Sequence, residues 1–135
     1  MNFVLDTNAV SDLVAEHPVA TARLAAVAAT DTVLLSVVTR GELLFGLERL
    51  PAGRRTDNLR IKLAGILGAL AFAPVTPAVA EQYALTKAAC ERAGGRVNDN
   101  NLWIAATVLT LNATLVTRDK DFGLVAGLTI EDWTV

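Results

Sequence analysis

The chain has 135 residues, 53% of them hydrophobic, which is the size of a single domain spanning 1–135 with enough apolar side chains for a core. A formal net charge of −2 excludes a general attraction to nucleic acid or to an anionic membrane surface, so such contacts would have to be local. The one cysteine, Cys90, excludes an internal disulfide, and with no signal-like segment in MNFVLDTN the cytoplasm is the expected compartment.

Taken in chain order, Asn2 to Leu5 is a short apolar run that predicts a buried strand with Asp6 at its carboxyl end, and Thr7, Asn8 and Ser11 follow as turn or capping residues. A short helix is predicted over Ala9 to Ala15 and a second over Val19 to Ala29, beginning near Pro18, with His17 in the link and no role assigned to it. Thr32 to Ser36, TVLLS, has the branched content of a second buried strand. Leu43, Leu44, Leu47 and Leu50 recur at helical spacing in Thr39 to Leu50, with Glu42 in the first turn. After a break at Pro51 to Gly53, a long helical pattern carries Arg54, Arg55, Arg60 and Lys62 and ends near Leu70. The longest apolar run, near Gly65 to Ala73, is too short to span a bilayer.

Phe72 to Val75 predicts a third strand, and Pro77 opens a helix over Ala78 to Ala93 that Gly94 and Gly95 stop. Val97 to Leu111, VNDNNLWIAATVLTL, is the most strongly patterned helix. If Asn98 caps it, Asn101, Ala105 and Val108 share a face, so an apolar stripe runs up to a polar first turn. Thr114 to Thr117 predicts a fourth strand, followed by Arg118, Asp119, Lys120 and Asp121, and Leu128 to Ile130 a fifth. Strands alternating with helices predict an α/β fold with a central, mostly parallel sheet of four to five strands flanked by helices, and ligands outside the strands' carboxyl ends.

Asp6 follows the first strand, Glu42 opens the helix after the second, Asp99 and Asn101 open the helix before the fourth, and Asp119 follows the fourth. A parallel sheet can bring all of them to one edge. Two carboxylates about 4 Å apart repel by roughly 4 kcal/mol at an effective dielectric of 20, and a cation offsets that. Oxygen ligands without histidine or cysteine favour Mg²⁺ or Mn²⁺ over zinc, and such ions activate water for displacement at phosphorus. Each acid also has a local reading: Thr39 to Glu42 fits a capping box, Asp6 an Asx turn, Asp99 a favourable charge at a helix start, and Asp119 and Asp121 solvated turns.

These stretches resemble the PIN-domain ribonucleases and, within them, the VapC-type toxins of bacterial toxin–antitoxin pairs. The matching motifs are LDTN around Asp6, SVVTRGELLFG around Ser36 and Glu42, LWIAA at Leu102 to Ala106, and LVTRDKDF from Leu115 with GLTIEDW near the end. The resemblance implies a PIN-like three-layer fold and a Mg²⁺-dependent endoribonuclease, with Mn²⁺ as a substitute, acting on structured RNA such as tRNA or rRNA. Carried over by position, Asp6, Glu42 and Asp119 are the first, second and fourth acids, and Thr7, Asn8, Ser36, Thr117 and Asp121 support them. The third acid usually stands three residues before the isoleucine of IAA, where this chain has Asn101, an oxygen ligand without charge. Asp99 replaces it only if the helix begins late enough to leave Asp99 in the cap, because two residues turn a helix by about 200°.

The resemblance also implies a VapB-like antitoxin whose tail docks near the Leu43 to Leu50 face and the Arg54 to Leu70 helix, a homodimer, and no membrane. Setting aside Asp6, Glu42, Asp99 and Asp119 leaves 10 acids against 12 basic residues, so Arg54 to Lys62, Arg92, Arg96, Arg118 and Lys120 are candidate phosphate contacts. Trp103 and Trp133 read as packing residues more than as base-stacking platforms. Two other classes compete with the nuclease. One is phosphoryl transfer through an aspartyl phosphate, which usually has a second aspartate two residues after the first, where Asn8 stands here. The other is a catalytically weakened or inactive PIN module, with Asn101 in place of an acid, that still binds antitoxin or RNA.

Overall fold

The computed structural model describes residues 1–135. Five strands, β1 (Asn2–Leu5), β2 (Thr32–Ser36), β3 (Ala71–Ala73), β4 (Thr114–Val116) and β5 (Thr129–Glu131), form one sheet in the order β3-β2-β1-β4-β5. Every pairing is parallel. The six helices are α1 (Thr7–Val14), α2 (Pro18–Ala25), α3 (Val37–Glu48), α4 (Arg54–Ala69), α5 (Pro77–Arg92) and α6 (Asp99–Thr110). A 3₁₀ turn over Lys120–Leu124 follows β4. No helix is long and apolar enough to cross a membrane.

The strands alternate their side chains between two apolar layers, as the pleat requires. Phe3, Leu5, Leu35 and Val116 join Ala9, Val10 and Leu13 of α1, Leu43 and Leu47 of α3, and Leu63 and Leu67 of α4 in one core. Val4 and Leu115 face the other way, against Leu102, Ile104, Ala105 and Val108 of α6, Cys90 of α5 and Phe122. The sheet is therefore covered on both faces, which is why its strands read as unbroken apolar runs. Trp133 is a packing residue, buried against Phe3 with its indole N–H donating to Glu131.

Several boundaries differ from the sequence-based expectation, and local capping explains them. Helix α1 starts at Thr7 rather than Ala9 because Asp6 caps it, its Oδ1 accepting from the Ala9 N–H at 2.8 Å. Helix α2 spans Pro18–Ala25, shorter than expected, and His17 has a role after all: its Nδ1 accepts from the Ala20 N–H as the cap. Helix α3 starts at Val37 rather than Thr39, since Ser36 ends β2 and caps the helix directly. The capping box of Thr39 with Glu42 is thereby ruled out. β3 covers Ala71–Ala73 instead of Phe72 to Val75. Gly94, with φ of 77°, ends α5 in the left-handed conformation expected of a helix-stopping glycine, and Asn112, with φ of 51°, does the same after α6.

Leu5 is fully buried in the central strand, whereas Ile61 on the outer face of α4 is 71% exposed. Leu5→Ala is expected to lower unfolding free energy by about 3 kcal/mol, and Ile61→Ala by less than about 0.5 kcal/mol, as read by urea denaturation.

Candidate functional site

The carboxyl ends of β1 and β4 are adjacent, and the Asp6 N–H extends their ladder by one bond to the Val116 carbonyl. This brings Asp6 beside Thr117. The Thr117 hydroxyl donates to Asp6 Oδ2 at 2.5 Å and accepts from the Asp119 N–H at 2.9 Å. Asp6, Thr117 and Asp119 thus form one chain of hydrogen bonds from the first strand to the loop after the fourth. Asp119 then turns its Oδ1 to the Asp121 N–H, which starts the 3₁₀ turn. Asp121 contributes its backbone here, and its carboxylate takes no part in these bonds.

Helix α6 arrives with Asn98 as its cap, accepting from the Asn101 N–H, so that Asn101 lies in the first turn and is nearly buried. Its side-chain amide approaches Asp119 Oδ2 at 3.4 Å. Asn101 therefore joins Asp119, at the position where the sequence comparison expects an acid. From the other side, Glu42 on α3 accepts from the Thr7 hydroxyl at 2.7 Å, and Thr7 is the residue after Asp6. Ser36 is fully buried but spends its hydroxyl on the Val38 N–H as a cap. No side-chain hydrogen bond ties Asn8 to the cluster.

Asp99 is not brought to these groups. Its Oδ1 accepts from the Tyr83 hydroxyl at 2.8 Å and from Lys87 Nζ at 3.1 Å, both on α5, and these bonds hold its carboxyl below the usual range. The reason is the helix start: with Asn98 as cap, Asp99 is the first helical residue and points about 200° from Asn101. The condition under which Asp99 replaces the third acid, a place in the helix cap, is not met. Trp103 stacks flat on Tyr83, at 3.9 Å between ring centres, and so packs α6 on α5. The sequence held a hint of this pairing only in the Tyr83 and Lys87 spacing along one helix face.

Burial is the largest influence on Asp6 and pushes its carboxyl above the ordinary value. The bonds from Thr117 and the Ala9 N–H oppose this, while the charge of Asp119 adds to it and Arg118 works against it. Arg118 is itself tied to Asp12 by two bonds at 3.1 and 3.4 Å, so it serves as a structural pair and a distant counter-charge. Among the other basic candidates, Arg60 pairs with Glu48 and Lys62 with Glu16, whereas Arg54, Arg55, Arg92, Arg96 and Lys120 have no carboxylate partner.

No group of three or more His, Cys, Asp or Glu side chains gathers closely enough to enclose a metal ion. What the site offers is two carboxylates, Asp6 and Asp119, with the Asn101 amide beside them and Glu42 held through Thr7. That donor set fits a hard, strongly hydrated ion, which is commonly held by one or two carboxylates and keeps several waters. The raised Asp6 is the further sign of fit, since a cation would relieve the charge that burial opposes.

A model of the PIN domain matches residues 3–128. The VapC ribonuclease Y4jK of Sinorhizobium fredii is 36% identical over 132 residues, covering 94% of each chain. Among solved structures, VapBC2 from Rickettsia felis, bound to a DNA fragment from their promoter, aligns with a TM-score of 0.89 at 25% identity, covering 98% of this chain and 99% of that one. VapBC-1 from nontypeable Haemophilus influenzae aligns with a TM-score of 0.87 at 25% identity over the whole of both chains.

Because folding raises Asp6 above its unfolded value, the native state binds the proton more tightly, and stability falls as pH rises from about 3.8 through the folded pKa. Asp6→Asn in EDTA is therefore expected to melt a few degrees above the parent at pH 7, the gain shrinking as pH approaches 3 in thermal melts.

Proposed function

We propose that this chain, which belongs to the PIN-domain family and within it to the VapC ribonucleases, is a divalent-metal-dependent RNA endonuclease that serves as the toxin of a cytoplasmic toxin–antitoxin pair. The observation that carries the reading is the hydrogen-bonded array of Asp6, Thr117, Asp119 and Asn101 at the carboxyl end of a parallel sheet. Mg²⁺ or Mn²⁺, when bound, would supply Lewis-acid polarisation of the scissile phosphate and a water of lowered pKa.

The chain's own residues do the rest. Asp6 and Asp119 would hold the ion, and the Asn101 carboxamide would offer a neutral oxygen once its amide turned. Thr117 keeps the two aspartates in register by donating to one and accepting from the backbone of the other. Glu42, oriented by Thr7, takes the proton of the attacking water. Arg96, Arg92 and Lys120, free of carboxylate partners, supply phosphate contacts along the strand of a structured RNA of the tRNA or rRNA class.

A groove of about 400 Å³ beside Thr7 and Glu42, lined by Val14, Leu43, Leu47 and Leu59, supports docking of the apolar tail of a VapB-type antitoxin at the mouth of the site. The solved relatives are VapBC assemblies, and the same partnership is part of this reading, as is a homodimer. Light scattering of the purified chain, alone and with its antitoxin, checks both.

Asn101 favours a second reading, an RNA- or antitoxin-binding module whose cleavage is weakened by the missing carboxylate. Purified protein with Mg²⁺ or Mn²⁺ is expected to cut structured RNA in a gel assay, EDTA to stop it, and Asp119→Asn to reduce it by at least about a hundredfold. Asn101→Asp is expected to tighten Mn²⁺ binding roughly tenfold by calorimetry and to raise cleavage, while Asp99→Asn changes neither. Cleavage absent from both the parent and Asn101→Asp would end the nuclease reading. Cleavage appearing only in Asn101→Asp would establish the weakened module.

A further inference from the structure

An open hollow of about 670 Å³ lies between the end of α5 and the start of α6. Lys87, Glu91, Arg96 and Asn98 line it, with Gly94 and Gly95 at the bend. The helix end fixes that bend: the Gly94 and Gly95 N–H groups donate to the carbonyls of Glu91 and Cys90, both at 3.0 Å. The hollow is therefore preformed, and its volume falls within the roughly 300–1,000 Å³ usual for sites that take small organic groups.

Two sets of contacts tie it to the acids. Asn98 lines the hollow and also caps α6 through the Asn101 N–H, and the Asn101 amide meets Asp119. Gly95 lies against Leu124, so that a Cβ on the glycine would stand 3.8 Å from Leu124 Cδ1, and Leu124 ends the 3₁₀ turn that Asp119 caps. The walls of the hollow are thus the residues that set Asn101 and the Asp119 turn in place.

Its charges are unspent. Lys87 is held by Asp99 and the Tyr83 hydroxyl, but Arg96 and Glu91 enter no ion pair, with each other or with any other residue. A guanidinium offers a planar fork of donors to a phosphate, whereas an ionised carboxylate only accepts. Among the four RNA bases, guanine alone presents two adjacent donors on its Watson–Crick edge, N1–H and an N2–H, and these match the two oxygens of one carboxylate. RNA that is read by sequence is mostly read in loops, where an unstacked base can leave its neighbours and enter such a recess.

We propose that the α5–α6 hollow is a guanine subsite: an unpaired guanosine beside the cleaved bond enters it, with Arg96 on its phosphate and Glu91 on its N1–H and N2–H. The inference rests on the nuclease reading above and adds to it which nucleotide the RNA loop must present.

Fluorescence polarisation in EDTA with the labelled RNA pentamers UUGUU, UUAUU, UUCUU and UUUUU, on the parent, Glu91→Gln, Arg96→Ala and Arg40→Ala, tests it beside the cleavage assay. The parent is expected to bind UUGUU about tenfold more tightly than the other three. Glu91→Gln loses that preference while binding UUUUU like the parent, and Arg96→Ala weakens UUGUU about tenfold. Both side chains are exposed and unpaired, so neither change disturbs the fold. Arg40→Ala, which removes the same charge beside Phe72 of the edge strand β3, leaves binding unchanged. Equal or absent binding of the four pentamers by the parent, a guanine preference that survives Glu91→Gln, or equal losses in Arg96→Ala and Arg40→Ala would overturn the subsite. If the parent still cuts structured RNA, the nuclease reading stands without it. The expected binding pattern in a chain that cuts nothing, even as Asn101→Asp, would uphold the subsite and end the nuclease reading.

Discussion

The bond from the Thr117 hydroxyl to the buried Asp6 carboxylate joins the ends of the two adjacent strands, 111 residues apart in the chain. It does two jobs at once. Asp6 also caps α1, so its carboxylate fixes where the first helix begins and, through Thr117, where Asp119 stands. Both Asp6 oxygens are engaged, and each retains capacity for another electrostatic partner. A carboxylate in this setting is a structural element whose charge the fold tolerates rather than welcomes, because burial raises it and Asp119 repels it.

That tension has a physical consequence. Hydrogen bonds from Thr117 and the Ala9 N–H offset part of the desolvation, and a cation would offset the remainder. The same economy runs through the periphery: Thr7 orients Glu42, Asn98 presents Asn101, and Arg118 is anchored by Asp12. Each reactive group is held by a neighbour that is close in space and mostly remote in sequence. Asn101 softens the arrangement, since an amide beside Asp119 adds no repulsion but also brings no negative charge to an ion.

Much of this was legible before the fold was known. Asp6, Glu42 and Asp119 each follow an apolar run or open a patterned helix, so parallel topology lets them approach one sheet edge; the hydrogen bonds observed join Asp6 to Asp119 through Thr117 and reach Glu42 only from Thr7. Asn98 announced the start of α6 because an asparagine ahead of an apolar stripe is a strong cap. Asp99 was the ambiguous case, for two residues within one turn face opposite ways and only the exact cap decides which of them meets the acids. The capping-box alternative at Thr39 fell away because the true cap, Ser36, also ends a strand, and strand and helix there share no linker.

The sequence by itself determined the α/β alternation, the two-sided burial of the strands and the set of oxygen-bearing side chains, because periodicity and capping are local properties of the chain. Only the tertiary structure decided that Thr117 would bridge Asp6 and Asp119, that Lys87 and Tyr83 would claim Asp99, and that Thr39 would be buried without a partner. Those outcomes depend on which strand lies beside which and on the rotation of α6 against α5. Such contacts depend on how separate elements pack, where local pattern carries no information about angle or distance.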